Sequence, residues 1–166
     1  MNLEILFLKY AFPCSMVLKQ RGEIDEQTFK FLEQAAINNK PVQKNILEKV
    51  FFRAFSRIKA LAKEKNMDYW SEYVIKEYFT NRHNQLIEGT HQTSDDGGLD
   101  INKKAPPKLK ELCKVHKAKV IKKQGNFLLV KFGNKTRPVL SDLTKGVKIG
   151  DTVTIHYGYA CEIISS

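Results

Sequence analysis

The chain lacks every familiar metal-binding spacing: its three cysteines, Cys14, Cys113 and Cys161, are scattered, with no CxxC pair and no other zinc-ligand pattern. An odd number of isolated cysteines argues against a disulfide framework and agrees with a reducing compartment. No basic start leads into a continuous apolar run with a small-residue cleavage site, because Leu3 to Leu8 is short and Lys9 interrupts it. No apolar run approaches the roughly 18 residues of a membrane span. A cytoplasmic protein with no membrane partner is therefore expected. The chain also has no Gly-rich phosphate loop, no nucleophile elbow, no paired-histidine motif and no acidic pair at a suggestive spacing. Catalysis is not expected, and no catalytic residue is assigned.

What is present suffices for buried cores. Hydrophobic residues make up 42% of the 166, enough for one medium domain or two small ones. The formal charge of +10 is unevenly shared. From Pro107 onward, eleven lysines and Arg137 stand against Glu111, Asp142, Asp151 and Glu162, a net +8.

Residues 1–87 read as a helical domain, 88–107 as a flexible linker and 108–166 as a small barrel. In the first region, Leu3 to Leu18 has helical apolar spacing, but Pro13 should end or kink the first helix. Ile24 and Asp25 look like a staple residue and an N-cap, with Phe29, Leu32 and Ala36 on one face of a second helix. Pro41 suits the first position of a long third helix through Ile46, Val50, Phe51, Ala54, Ile58, Leu61 and Ala62. A fourth is expected from about Ser71 to Ile87. Most of the aromatic residues should be core, with Tyr69, Trp70 and Phe52 beside Arg53 best placed to stack on a base. His83 and Asn84 after Arg82 could be site residues, although a lone histidine near a helix end is usually a solvated or capping group. The linker is polar and rich in Gly and Pro, so it cannot offset its ordering entropy and would let the two regions move independently.

In the last region, Lys117 to Lys123, Phe127 to Phe132, Arg137 to Leu140 and Asp151 to His156 are short runs rich in Val, Ile, Leu and Phe, the composition of strands. Gly125 and Gly133 supply turns between them. The alternation of Val153 and Ile155 with Thr152 and Thr154 implies one buried and one wet face. Closure removes exposed edges, so a small barrel is favoured over an open sheet. The expected fold class is α+β: an N-terminal helical bundle followed by a small OB-like antiparallel β-barrel.

Residues 113–164 resemble the HypC/HupF family of hydrogenase-maturation chaperones. The resemblance rests on Cys113-Lys-Val-His-Lys-Ala-Lys-Val120, on Phe127-Leu-Leu-Val-Lys-Phe-Gly133 with Arg137-Pro-Val-Leu140, and on Gly150-Asp-Thr-Val-Thr-Ile-His-Tyr-Gly-Tyr-Ala160 followed by Ile163 and Ile164. It implies an assembly chaperone or adaptor for a nickel–iron hydrogenase centre, with iron as a transient cargo and a protein client or another maturation factor as partner. Cys113 and His156 are then the metal- or partner-binding pair. Lys114, Lys117, Lys119, Lys122 and Lys123 form a basic docking surface.

The residues themselves leave alternatives open. Lys110, Lys114, His116 and Lys117 near Cys113 could favour a thiolate, or Cys113 could be a buried small hydrophobe beside Leu112 and Val115. His156 could be a hydrogen-bonded barrel residue. Cys14 and Cys161 read as packing residues. The alternative function is RNA or single-strand binding by the basic barrel, its lysines releasing counterions from phosphates.

Overall fold

The computed structural model describes residues 1–90 and 105–166. Helix α1 (Leu3–Ala11) starts where the Asn2 side chain accepts a hydrogen bond from the Ile5 amide. It buries Leu6, Phe7, Leu8, Tyr10 and Ala11, more than one face, and is the central helix of the bundle. Pro13 tightens the chain into a 3₁₀ turn, Phe12–Cys14, before α2 (Ser15–Gln20). Asp25 caps α3 (Glu26–Ile37) by accepting from the Thr28 amide at 2.7 Å, and Phe29, Leu32 and Ala36 are buried as their spacing predicts.

The long third helix is not continuous. It begins at Lys44 rather than at Pro41, and Phe51 (φ −103°, ψ 42°) separates α4 (Lys44–Val50) from α5 (Phe52–Lys65). By leaving helical geometry there, Phe51 buries its ring against Phe7, 5.6 Å between centroids, while α5 still presents Phe55 to the same ring. The fourth helix also departs from its simple pattern. Helices α6 (Glu72–Glu77) and α7 (His83–Glu88) are joined by a wide π turn, Tyr78–Arg82. The extra residue in that turn rotates α7 relative to α6, so Tyr78, Phe79 and His83 all point inward.

Most of the 88–107 segment, residues 91–104, lies outside the described residues. The chain returns in α8 (Pro107–Cys113) and enters β1 (His116–Gln124), β2 (Phe127–Phe132), β3 (Lys135–Leu140), β4 (Thr152–His156) and β5 (Tyr159–Ser165). These close as a barrel in the order β1-β2-β3-β5-β4, with β1 also paired to β4. All pairs are antiparallel except β3 with β5, which meet in parallel at Leu140 and Tyr159. Gly125 (φ 59°) and Gly133 (φ 56°) supply the left-handed positions of the two hairpin turns. Ala118, Val120, Leu128, Val130, Val139, Val153 and Ile155 fill the interior.

Helices and barrel are joined by more than chain connectivity. Val115, Leu143 and Cys161 belong to the same apolar cluster as the helical core. The Tyr10 hydroxyl donates to Glu162 Oε2 at 2.7 Å and accepts from Thr154 Oγ1 at 3.2 Å, and Lys76 pairs with Glu162 at 2.7 Å. This shared core replaces the independent movement that the linker's composition suggests. It also corrects the wet face assigned to β4: Thr154 is 1% exposed because the helical layer covers it. Among the described residues no helix is long and apolar enough to cross a membrane.

Candidate metal centre

His156, on β4, is fully buried where the barrel meets α1. Its Nδ1 lies 2.8 Å from the Tyr10 carbonyl oxygen. A carbonyl only accepts, so Nδ1 carries the proton and Nε2 keeps a bare lone pair. That lone pair faces the Cys14 Sγ at 3.2 Å, and the thiol donates to it. Pro13 places this thiol, since the 3₁₀ turn it stabilises ends on Cys14 and directs it toward the barrel.

The third member comes from α7. His83 is 9% exposed, and its ring centroid lies 5.1 Å from that of His156, the planes at 79°. Its Nδ1 is buried and makes no hydrogen bond of good geometry, although the Asn84 side chain lies near enough to oppose the fall in the His83 pKa. Ligand atoms of Cys14, His83 and His156 all lie within 4.8 Å of one another. Metal–sulfur and metal–nitrogen bonds of about 2.3 and 2.0 Å imply separations of roughly 3.5 Å, so the trio would have to draw together on binding an ion.

The electrostatics suit neutral ligands. Burial pushes the His83 pKa down to about 3, helped by the neighbouring His156, and that of His156 down to about 4. Both imidazoles are uncharged at neutral pH, the form that binds metal. Burial holds the Cys14 thiol well above its usual range. An incoming cation must displace its proton, giving a set of one thiolate and two imidazoles that suits a soft or borderline transition metal.

A cavity of about 130 Å³ opens over Cys14 and His83. Its walls include Val17, Leu18, Phe51 and Leu86, and Cys113 and Tyr157 line it as well. A metal held by three protein groups would keep a further position toward this space, as open sites do and closed structural sites do not.

Sequence reasoning paired Cys113 with His156, but the nearest thiol to His156 is that of Cys14. Cys113 ends α8, is 7% exposed and holds its Sγ 2.6 Å from the Tyr157 hydroxyl. It lines the cavity without joining the compact trio. Of the two readings left open for Cys113, its burial favours the small buried residue over the cation-favoured thiolate: burial raises its pKa, and the Tyr157 hydrogen bond only partly opposes it. Lys114 is turned away to Glu88 at 3.0 Å and Glu111 at 2.9 Å, which also removes it from the free basic surface. Lys117, Lys119, Lys122 and Lys123 are exposed, with Lys123 Nζ donating to the Val147 carbonyl at 2.8 Å. Cys161 is buried, in keeping with a packing role. Tyr69 and Trp70 are not free platforms: Trp70 stacks on Phe55 at 5.2 Å, and Lys44 Nζ sits 4.8 Å from the Tyr69 centroid.

Cys14, which reads from the sequence as a packing residue, and His83, which reads as a possible site residue or a helix-end group, are the two that join His156. No spacing rule connects positions 14, 83 and 156, and the π turn that aims His83 inward has no sequence signature. The chain matches no model of a known protein family and no curated protein.

Proposed function

We propose that this protein takes up a transition metal at Cys14, His83 and His156 and passes it on, as an assembly chaperone or adaptor of the kind the barrel's resemblance implies. The observation that carries this reading is the gathering of one thiol and two imidazoles from three separate elements, their ligand atoms within 4.8 Å of one another. Neutral imidazoles and a displaceable thiol proton are the donor set that a soft or borderline cation takes. Iron is the cargo favoured by the resemblance. Cys113 lines the cavity wall, which supports a contact with the metal as it enters or leaves.

Anaerobic titration of the reduced protein with ferrous iron, and with cobalt(II) as a spectroscopic substitute, tests the site. One ion per chain, with a thiolate-to-cobalt charge-transfer band lost in Cys14→Ser, is expected. Absence of any bound ion in the wild type overturns the reading. Transfer is tested separately by adding a chelator to the iron-loaded protein: a cargo ion leaves within minutes, whereas an ion retained for hours would make the centre a resident one.

A further inference from the structure

The outer face of β1, β2 and β3 carries a charge arrangement that folding does not explain. Lys119 on β1 stands directly opposite Lys131 on β2, and Lys122 opposite Leu129. Like charges at directly paired positions destabilise a sheet unless something offsets them. The carboxylates of the barrel region are engaged elsewhere: Glu111 with Lys114 and Lys135, Glu162 with Lys76 and Tyr10, Asp151 with the Lys148 amide and Asp142 with Asn126. Among the described residues no carboxylate lies within ion-pair distance of Lys119, Lys122 or Lys131.

Apolar surface is interleaved with these cations. Phe127, at the start of β2, is 61% exposed, and Ile149 is 63% exposed. Together with Leu129 and Pro138, which face each other across β2 and β3, they line a shallow groove that Lys122 also borders. An acidic peptide would use the lysines but has no need of an exposed phenyl ring beside them. A nucleic acid strand uses both, its phosphates on the cations and an unstacked base on the ring.

We propose that this face binds single-stranded nucleic acid, with Lys119, Lys122 and Lys131 neutralising phosphates and Phe127 stacking a base. The face is separate from the metal centre, so either assignment can fail without the other.

The test is fluorescence anisotropy of the full chain with labelled single-stranded RNA and DNA of about 12 nucleotides, a length within the range that one small barrel covers. Three neutralised phosphates predict a log–log salt slope of about −2 between roughly 50 and 200 mM salt. Lys119→Glu combined with Lys131→Glu should make that slope shallower by about 1.4. Phe127→Ala, which removes an exposed ring and leaves the core intact, should weaken binding about five- to tenfold at unchanged slope. The RNA and DNA arms show which strand is preferred. Failure of both oligonucleotides to bind overturns the proposal. So does binding that polyglutamate displaces equally well and that Phe127→Ala leaves unchanged, the result an acidic protein partner would give.

Discussion

The Cys14 thiol lies 3.2 Å from Nε2 of His156 although 142 residues separate them in the chain. One comes from a proline-directed turn in the helical layer and the other from the fourth barrel strand. The contact exists because α1 lies against the barrel, where its Tyr10 carbonyl fixes the tautomer of His156 and so leaves the acceptor nitrogen facing the thiol.

Metal affinity should rise with pH. Both histidines are already neutral above about pH 5, given values near 3 and 4, so the proton that metal must displace is that of the Cys14 thiol. One proton released per ion predicts about a tenfold gain in apparent affinity per pH unit from pH 6 to 8. Competition titrations at three pH values check this, and a flat profile would remove Cys14 from the ligand set.

Stability of the metal-free protein should fall in mild acid. A histidine held neutral in the fold and free to protonate when unfolded contributes stability above its unfolded pKa, near 6.5, and loses it as pH falls toward the folded value. That window runs from about 6.5 down to about 4 for His156 and to about 3 for His83. Each contributes on the order of 1.4 kcal/mol per pH unit within it. Urea midpoints at pH 6.5, 5.5 and 4.5 should drop steeply in the wild type and less so in His83→Gln. Equal slopes in both would show that His83 does not titrate on unfolding.

Tyr10→Phe should loosen the helix–barrel junction. The hydroxyl bridges Glu162 at 2.7 Å and Thr154 at 3.2 Å, the latter buried, and its removal strips one hydrogen bond from a carboxylate. A loss of about 1.5–3 kcal/mol is expected from chemical unfolding. A change below a few tenths would mean that Lys76, also 2.7 Å from Glu162, suffices alone.

Asn84→Ala should act on stability and metal together. The side chain donates from Nδ2 to the Val115 carbonyl at 2.8 Å and accepts from the Val115 amide at 2.8 Å, holding α7 to the entry of β1. Leaving both backbone groups unpaired should cost about 2–4 kcal/mol. Because His83 is the neighbouring residue, metal affinity should also fall about tenfold, the usual effect of losing an outer-shell support. Destabilisation with unchanged affinity would show that His83 is positioned by the π turn alone.

Local patterns in the chain are enough to specify the helical first region, the barrel and its hairpins, because hydrophobic period and left-handed glycines such as Gly125 and Gly133 act over a few residues. The concentration of lysines at the barrel end is equally legible. The break at Phe51 and the π turn at Tyr78–Arg82 are not, since both arise where side chains crowd around α1 and packing outweighs local helix preference. Nor do local patterns reveal that Thr154 is covered, that Lys114 is consumed by Glu88 and Glu111, or that His156 faces Cys14. Those facts depend on how the helical layer docks on the barrel. Docking is governed by the matching of two separate surfaces, and no local period in the chain encodes it. Positions 14, 83 and 156 therefore come to one place only when the helical layer closes on the folded barrel.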